Sequence, residues 1–228
     1  MLKRRYSLLV GLILIVLAVT PLEASAIAYG DPANTGNQLW GGSLEEDFTV
    51  NSPIVVSALG LYESGQTGIA GLLTVAIFNS SDVNETGVLS FTQTCPTADV
   101  GGDCFESLTT PVTLAAGNYS LSTAGWGTSG GGSLDGNYLD PSYIAPALNT
   151  SGGLLTFTGI AYVPGGGLQY LAPITSDPGG DPNNGFNAGS FEFGPPAAAG
   201  PEPGTAIGVT IGLLVCLIPR LRRQAVKR

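Results

Sequence analysis

Few side chains in this sequence are equipped for chemistry, and their types narrow the options at once. A Ser or Cys nucleophile usually needs a base, typically His or Lys. The chain has no His, and Lys occurs only at Lys3 and Lys227. Carboxylate pairs remain, and two of them flanking a glycosidic bond suffice for hydrolysis. Glu45, Glu46 and Asp47 are consecutive. Neighbouring side chains of a strand diverge, so the run reads as a solvated strand edge and no catalytic residue is assigned. Two oxygen-rich groups suit calcium, the one ion worth considering as a cofactor. One is Asp99, Asp103 and Glu106; the other is Asp177 and Asp181 in a Pro, Gly and Asn-rich loop. Neither has EF-hand spacing, and turn chemistry accounts for both. Trp40, Trp126 and Tyr138, with Tyr143 and Tyr170, offer material for a sugar-stacking face, although such residues more commonly fill cores.

Cys95 and Cys104 stand nine apart, beside Pro96, Gly101 and Gly102. In an exported protein they favour a disulfide, worth about 2–3 kcal/mol for so short a loop. The rival, a metal or redox thiol pair, lacks both a His and Cys-x-x-Cys spacing. Cys216 falls in the C-terminal apolar run as a packing residue. Asn79, Asn84, Asn118 and Asn149 begin Asn-x-Ser/Thr sequons, which matter only where the host glycosylates them.

The elements that must position these residues follow from charge. All eight Lys and Arg lie at the ends, and residues 6–219 contain no cationic side chain. With a net charge of -9, the middle carries a negative field that keeps it soluble and self-repelling. Nucleic-acid binding is excluded, because it needs cations on phosphates. Phosphate and carboxylate ligands lose their usual Arg fork.

The N-terminus has Lys3, Arg4 and Arg5, an apolar run from Leu8 to Val19, and Ala24-Ser25-Ala26. This is the three-part export signal, with cleavage expected after Ala26; an uncleaved anchor is the alternative. At the other end, Pro195 to Gly200 is a small-residue linker. Pro201-Glu202-Pro203 follows, then an apolar run ending at Ile218, then Pro219 and the basic tail Arg220 to Arg228. As a helix the apolar stretch is about 22 Å long, shorter than a ~30 Å hydrocarbon core. A short span with a basic stop suits a transient anchor. Both basic ends place the middle outside.

Pro201-Glu202-Pro203, the short apolar helix and the Arg-rich end together resemble the PEP-CTERM sorting signal of Gram-negative bacteria. The resemblance covers residues 201–224 and implies recognition by an exosortase at Pro201, Glu202 and Pro203. It also implies a setting of exopolysaccharide and biofilm production.

Between the ends, β-branched and alternating segments predict strands at Leu44–Val50, Ile54–Tyr62, Leu72–Phe78, Val88–Thr94, Thr109–Leu114, Asn118–Thr123 and Leu154–Tyr162. Gly and Asn-rich turns separate them, and no helical pattern intervenes. Seven or more such strands favour an antiparallel sandwich. Phe48, Val50, Ile54 and Val56 should face inward on either side of Pro53, where the ladder breaks. Leu114 to Tyr119 should make a strand, a tight turn and the next strand. Residues 163–193 hold only two strand-like pieces, Leu168–Leu171 and Ser190–Phe193, as an extra edge strand or a loop over the sheet.

The segments Asp47 to Tyr62, Val75 to Asn79 and Pro111 to Tyr119 resemble the DUF4082-type jelly-roll domain of exported bacterial proteins, over residues 40–165. The resemblance implies a carbohydrate-binding-module-like sandwich; the cysteine pair is a departure from it. The expected fold class is therefore all-β, an antiparallel jelly-roll-like sandwich flanked by an N-terminal signal helix and a C-terminal transmembrane helix. The expected divisions are 1–26 signal peptide, 27–195 ectodomain, 196–203 linker with the sorting motif, 204–219 transmembrane helix and 220–228 cytoplasmic tail. The expected function is that of a non-catalytic surface or matrix protein. Its partners would be signal peptidase, the translocon, an exosortase, the membrane and extracellular polysaccharide. A glycan-active hydrolase using paired carboxylates and a purely structural coat protein are the alternatives.

Overall fold

The computed structural model describes residues 25–30, 36, 38–63, 68–69, 71–92, 95, 102–127, 147–173 and 186–197. They form an all-β, sandwich-like domain within the compact unit Glu23–Pro196. The chain's other unit, Met1–Leu22 with Ala197–Arg228, lies outside the described residues except for Ala197. So do both expected terminal helices and the sorting motif Pro201, Glu202 and Pro203.

Among the described residues, eleven strands occur in chain order: β1 (Ala26–Ile27), β2 (Tyr29–Gly30), β3 (Gly42–Val50), β4 (Ile54–Tyr62), β5 (Leu72–Asn79), β6 (Leu89–Thr92), β7 (Asp103–Leu114), β8 (Gly117–Ala124), β9 (Ala147–Leu148), β10 (Leu155–Pro164) and β11 (Gly189–Gly194). One sheet has the order β1-β11-β4-β7, a second β10-β3-β8-β5-β6, and β2 pairs with β9. Every named pair is antiparallel.

Alternation decides which way the side chains point. Leu44, Phe48 and Val50 on β3 and Ile54 and Val56 on β4 are all buried, as expected on either side of Pro53. The chain changes sheets there, from β3 to β4. Asn51 holds the corner by donating its side-chain amide to Gly153 O at 2.9 Å and to Thr156 Oγ1 at 2.8 Å. Phe48 of one sheet meets Phe191 of the other at 4.8 Å between ring centroids. Tyr29 adds rings at 4.8 Å from Phe157 and 6.3 Å from Phe191. Such tilted and edge contacts add to the area these rings bury.

The β7–β8 turn is as expected: β7 ends at Leu114, β8 opens at Gly117, and the Tyr119 hydroxyl donates to Ala115 O at 3.0 Å. Between β5 and β6, Asn79 Oδ1 accepts from the Ser81 and Val83 N–H groups, an Asx-type turn. Gly60 lies opposite Phe105, and the ring covers it so closely that a Cβ would lie 2.7 Å from Phe105 Cε1.

The stretch after β10 behaves differently at its two ends. Ser190–Phe193 falls within β11, which is an interior strand between β1 and β4. Leu168–Leu171 is not a strand. It belongs to a strap, residues 165–173, that crosses the outer face of the five-stranded sheet.

Candidate functional site

The strap covers an unusual floor. β3 is an interior strand, hydrogen-bonded to β10 on one side and β8 on the other. Glu45, Glu46 and Asp47 are 0%, 1% and 1% exposed. The expected solvated strand edge is thus overturned: pairing on both sides removes the edge, and the strap removes the solvent. The expected divergence does occur. Leu44, Glu46 and Phe48 alternate with Glu45 and Asp47 along the strand, so Glu46 shares the core-facing side of Phe48. There its Oε1 accepts from Ala188 N–H at 3.4 Å. Glu45 and Asp47 share the opposite, outer face.

Small residues surround this outer pair. Across the ladder, Glu45 faces Ser122 on β8 and Ala161 on β10; Asp47 faces Ser120 and Gly159. The result is a shallow bed into which the strap fits. Three consecutive strap N–H groups go to side chains: Gln169 to Ser122 Oγ at 3.3 Å, Tyr170 to Asp82 Oδ1 at 2.8 Å, and Leu171 to Glu45 Oε2 at 2.8 Å. Gly165 N–H ties the strap's start to Gly41 O at 2.7 Å.

The two carboxyl groups are served unequally. Glu45 accepts from Leu171, from Ser120 Oγ at 3.2 Å and from Ser43 Oγ at 3.4 Å. Burial outweighs these bonds and pushes its pKa up to about 7. Asp47 is pushed to about 8, again by burial, with the neighbouring Glu45 adding to the rise. Ser120 is near enough to temper that rise, but its single hydroxyl proton goes to Glu45. Neither Asp47 oxygen has a hydrogen-bond partner among the described residues. Tyr170 is held above its usual range by burial first, then by Asp47 and Glu45.

The other expected site residues are dispersed. Trp126 is fully buried, and its indole N–H donates to Thr123 Oγ1 at 3.0 Å. It is a core residue, and the stacking role expected of it is withdrawn. Trp40 is half-buried edge-on to Tyr162 at 5.2 Å, with its N–H on Ser43 O at 3.2 Å. Tyr138 lies outside the described residues, as do Asp99, Asp177 and Asp181. Asp103 and Glu106 do not converge. They stand three apart on a regular stretch of β7, opposite Tyr62 and Leu59, and so face opposite sides; Asp103 is also fully buried.

Cys95 and Cys104 lie at disulfide distance, with S–S 2.21 Å and Cα–Cα 5.3 Å. Glu63 is close to both sulfurs, but a disulfide leaves no thiolate to join it on a metal. Ala26 pairs with Phe193 and Ile27 with Glu192, so the expected cleavage point falls inside β1.

The outer acid pair was missed in the sequence. Its signal was Leu44, Phe48 and Val50 alternating around acids in a domain with no cation to pair them. Comparison with protein-family models, with curated proteins and with solved structures found no match for this chain.

Proposed function

We propose that the chain is an exported, non-catalytic surface or matrix protein, delivered by its PEP-CTERM-like tail and exosortase handling. Its β domain is read as a jelly-roll-like sandwich with affinity for extracellular polysaccharide. The observation that carries this reading is the charge map: no Lys, Arg or His occurs in residues 6–219, while both ends are basic. That pattern fits a middle translocated across the inner membrane with its ends on the cytoplasmic side. A disulfide-distance cysteine pair agrees with an oxidising compartment.

Non-catalysis is supported by the state of the acid pair. A glycosidase needs its two carboxyl groups lining an open cleft that holds the sugar. Glu45 and Asp47 are instead covered, with Glu45 engaged by the strap. The test is mass spectrometry of protein recovered from the host surface. It should begin near Ile27 and lack Arg220 to Arg228; an intact basic tail on surface protein would refute exosortase processing. Glycan-array binding of the same material reports on the polysaccharide. Hydrolysis of an array glycan that is lost in Glu45→Gln would restore the hydrolase alternative.

A further inference from the structure

We propose that Glu45 and Asp47, with the hydroxyls of Ser120 and Ser122, form a site for a hard divalent cation, calcium above all, beneath the 165–173 strap. The site does not depend on how the chain is delivered.

The argument begins with Asp47. It is 1% exposed, and neither of its carboxylate oxygens has a hydrogen-bond partner among the described residues. A buried carboxylate must be paired, coordinate a metal or give up its charge. Pairing with a side chain is unavailable, because residues 6–219 hold no Lys, Arg or His. A proton or a bound cation remains. A second carboxyl, Glu45, shares the same face two residues away, and serines stand opposite both. One proton on each acid would neutralise them separately; one divalent ion neutralises both.

The ligand chemistry then selects the ion. Every candidate ligand atom is oxygen, from two carboxylates and two hydroxyls, which suits calcium or magnesium and disfavours metals that seek nitrogen or sulfur. Magnesium sheds water reluctantly and keeps several waters when bound. It also demands near-ideal octahedral geometry, which side chains fixed on two neighbouring strands are poorly placed to give, whereas calcium accepts oxygens in flexible geometry. Among the described residues, the titratable groups that act on Asp47 are Glu45 from β3 and Tyr170 from the strap, while Asp82 from the β5–β6 turn acts on Glu45. β8 and β10 present only Ser120, Ser122, Gly159 and Ala161. All titratable groups there are acidic, so protons compete with the cation. A bound cation also keeps Glu45 ionised, which strengthens its bond from Leu171 N–H and fastens the strap.

The experiment uses the full-length protein in detergent, stripped with EDTA and titrated with CaCl2 at pH 6 and pH 8. Calorimetry should show one saturable site, with Kd at least tenfold tighter at pH 8, and Tm should rise with calcium. Magnesium should bind at least tenfold more weakly. Asp47→Asn and Glu45→Gln should each weaken calcium binding tenfold or more, whereas Glu106→Gln, on β7, should bind as the wild type does. Thermal melts in EDTA confirm that each variant folds, and either acid variant suffices if the other does not. No calcium-dependent heat or Tm change in the wild type at 10 mM would overturn the site. Binding unchanged in a folded Asp47→Asn or Glu45→Gln protein would do so equally.

Discussion

Replacing Asp47 with Asn in the absence of divalent cations should stabilise the protein, and increasingly so as pH rises. The folded pKa of Asp47 is raised from 3.8 to about 8, so folding takes up a proton between these limits. Stability falls with pH wherever the folded state binds more protons than the unfolded state. The penalty is therefore absent below the ordinary carboxyl range, accumulates from about pH 4, and stops growing above about pH 8. At one pKa unit per 1.36 kcal/mol, it reaches about 4 kcal/mol at pH 7. Asn has the same shape and no charge, so the variant escapes it. For a domain of this size each kcal/mol moves Tm by about 2–4 °C, giving a gain near 10 °C at pH 7. At pH 4 the gain should vanish. The assay is paired thermal melts with EDTA at pH 4, 5.5, 7 and 8.5. A variant that is less stable by the same amount at every pH would refute the reasoning. It would mean that Asp47 contributes as a permanently ionised partner and not as a buried acid.

Phe191→Ala should cost about 3–5 kcal/mol, read as a lower urea midpoint, because its ring is fully buried and contacts Phe48, Tyr29 and Phe193. Gly125→Ala should cost at least about 2 kcal/mol by the same measure. The residue sits at φ +109°, and a Cβ there would lie 2.3 Å from Leu72 O. Reducing Cys95–Cys104, or replacing Cys95 with Ser, should lower stability by about 2–3 kcal/mol. Oxidised and reduced melts that coincide would exclude the bond.

The strands most legible in the sequence were those buried on one face and bounded by turns. Ile54–Tyr62 forms β4 over that very span, and the adjoining β3 begins at Gly42. β7 runs from Asp103, well before the expected Thr109, and its pairing with β4 is irregular midway: residues 108–111 of β7 stand against Ser57 alone, between the rungs Val56–Val112 and Ala58–Ser107. Ser107, Thr109 and Thr110 are also exposed on this sheet edge, which hides the alternation. β1, β2 and β9 have two residues each, too short for periodicity to register. The candidate site was harder to see. The strap is held by side-chain acceptors on three separate elements, Ser122, Asp82 and Glu45. Such long-range bonds leave no local pattern. The burial of Glu45 and Asp47 depends on that strap, so their acidity was legible and their environment was not.

The pairing of β1 with β11 has a consequence for how this domain could be handled. Ile27 and Glu192, near the first and last residues of the domain, form a direct rung of one ladder. Entry and exit are thus neighbours, and the backbone between them makes an almost closed circuit. A short peptide linking Ile27 to Gly194 should let the chain be cut elsewhere, for instance in the exposed corner Asn51–Pro53, with the strand order preserved.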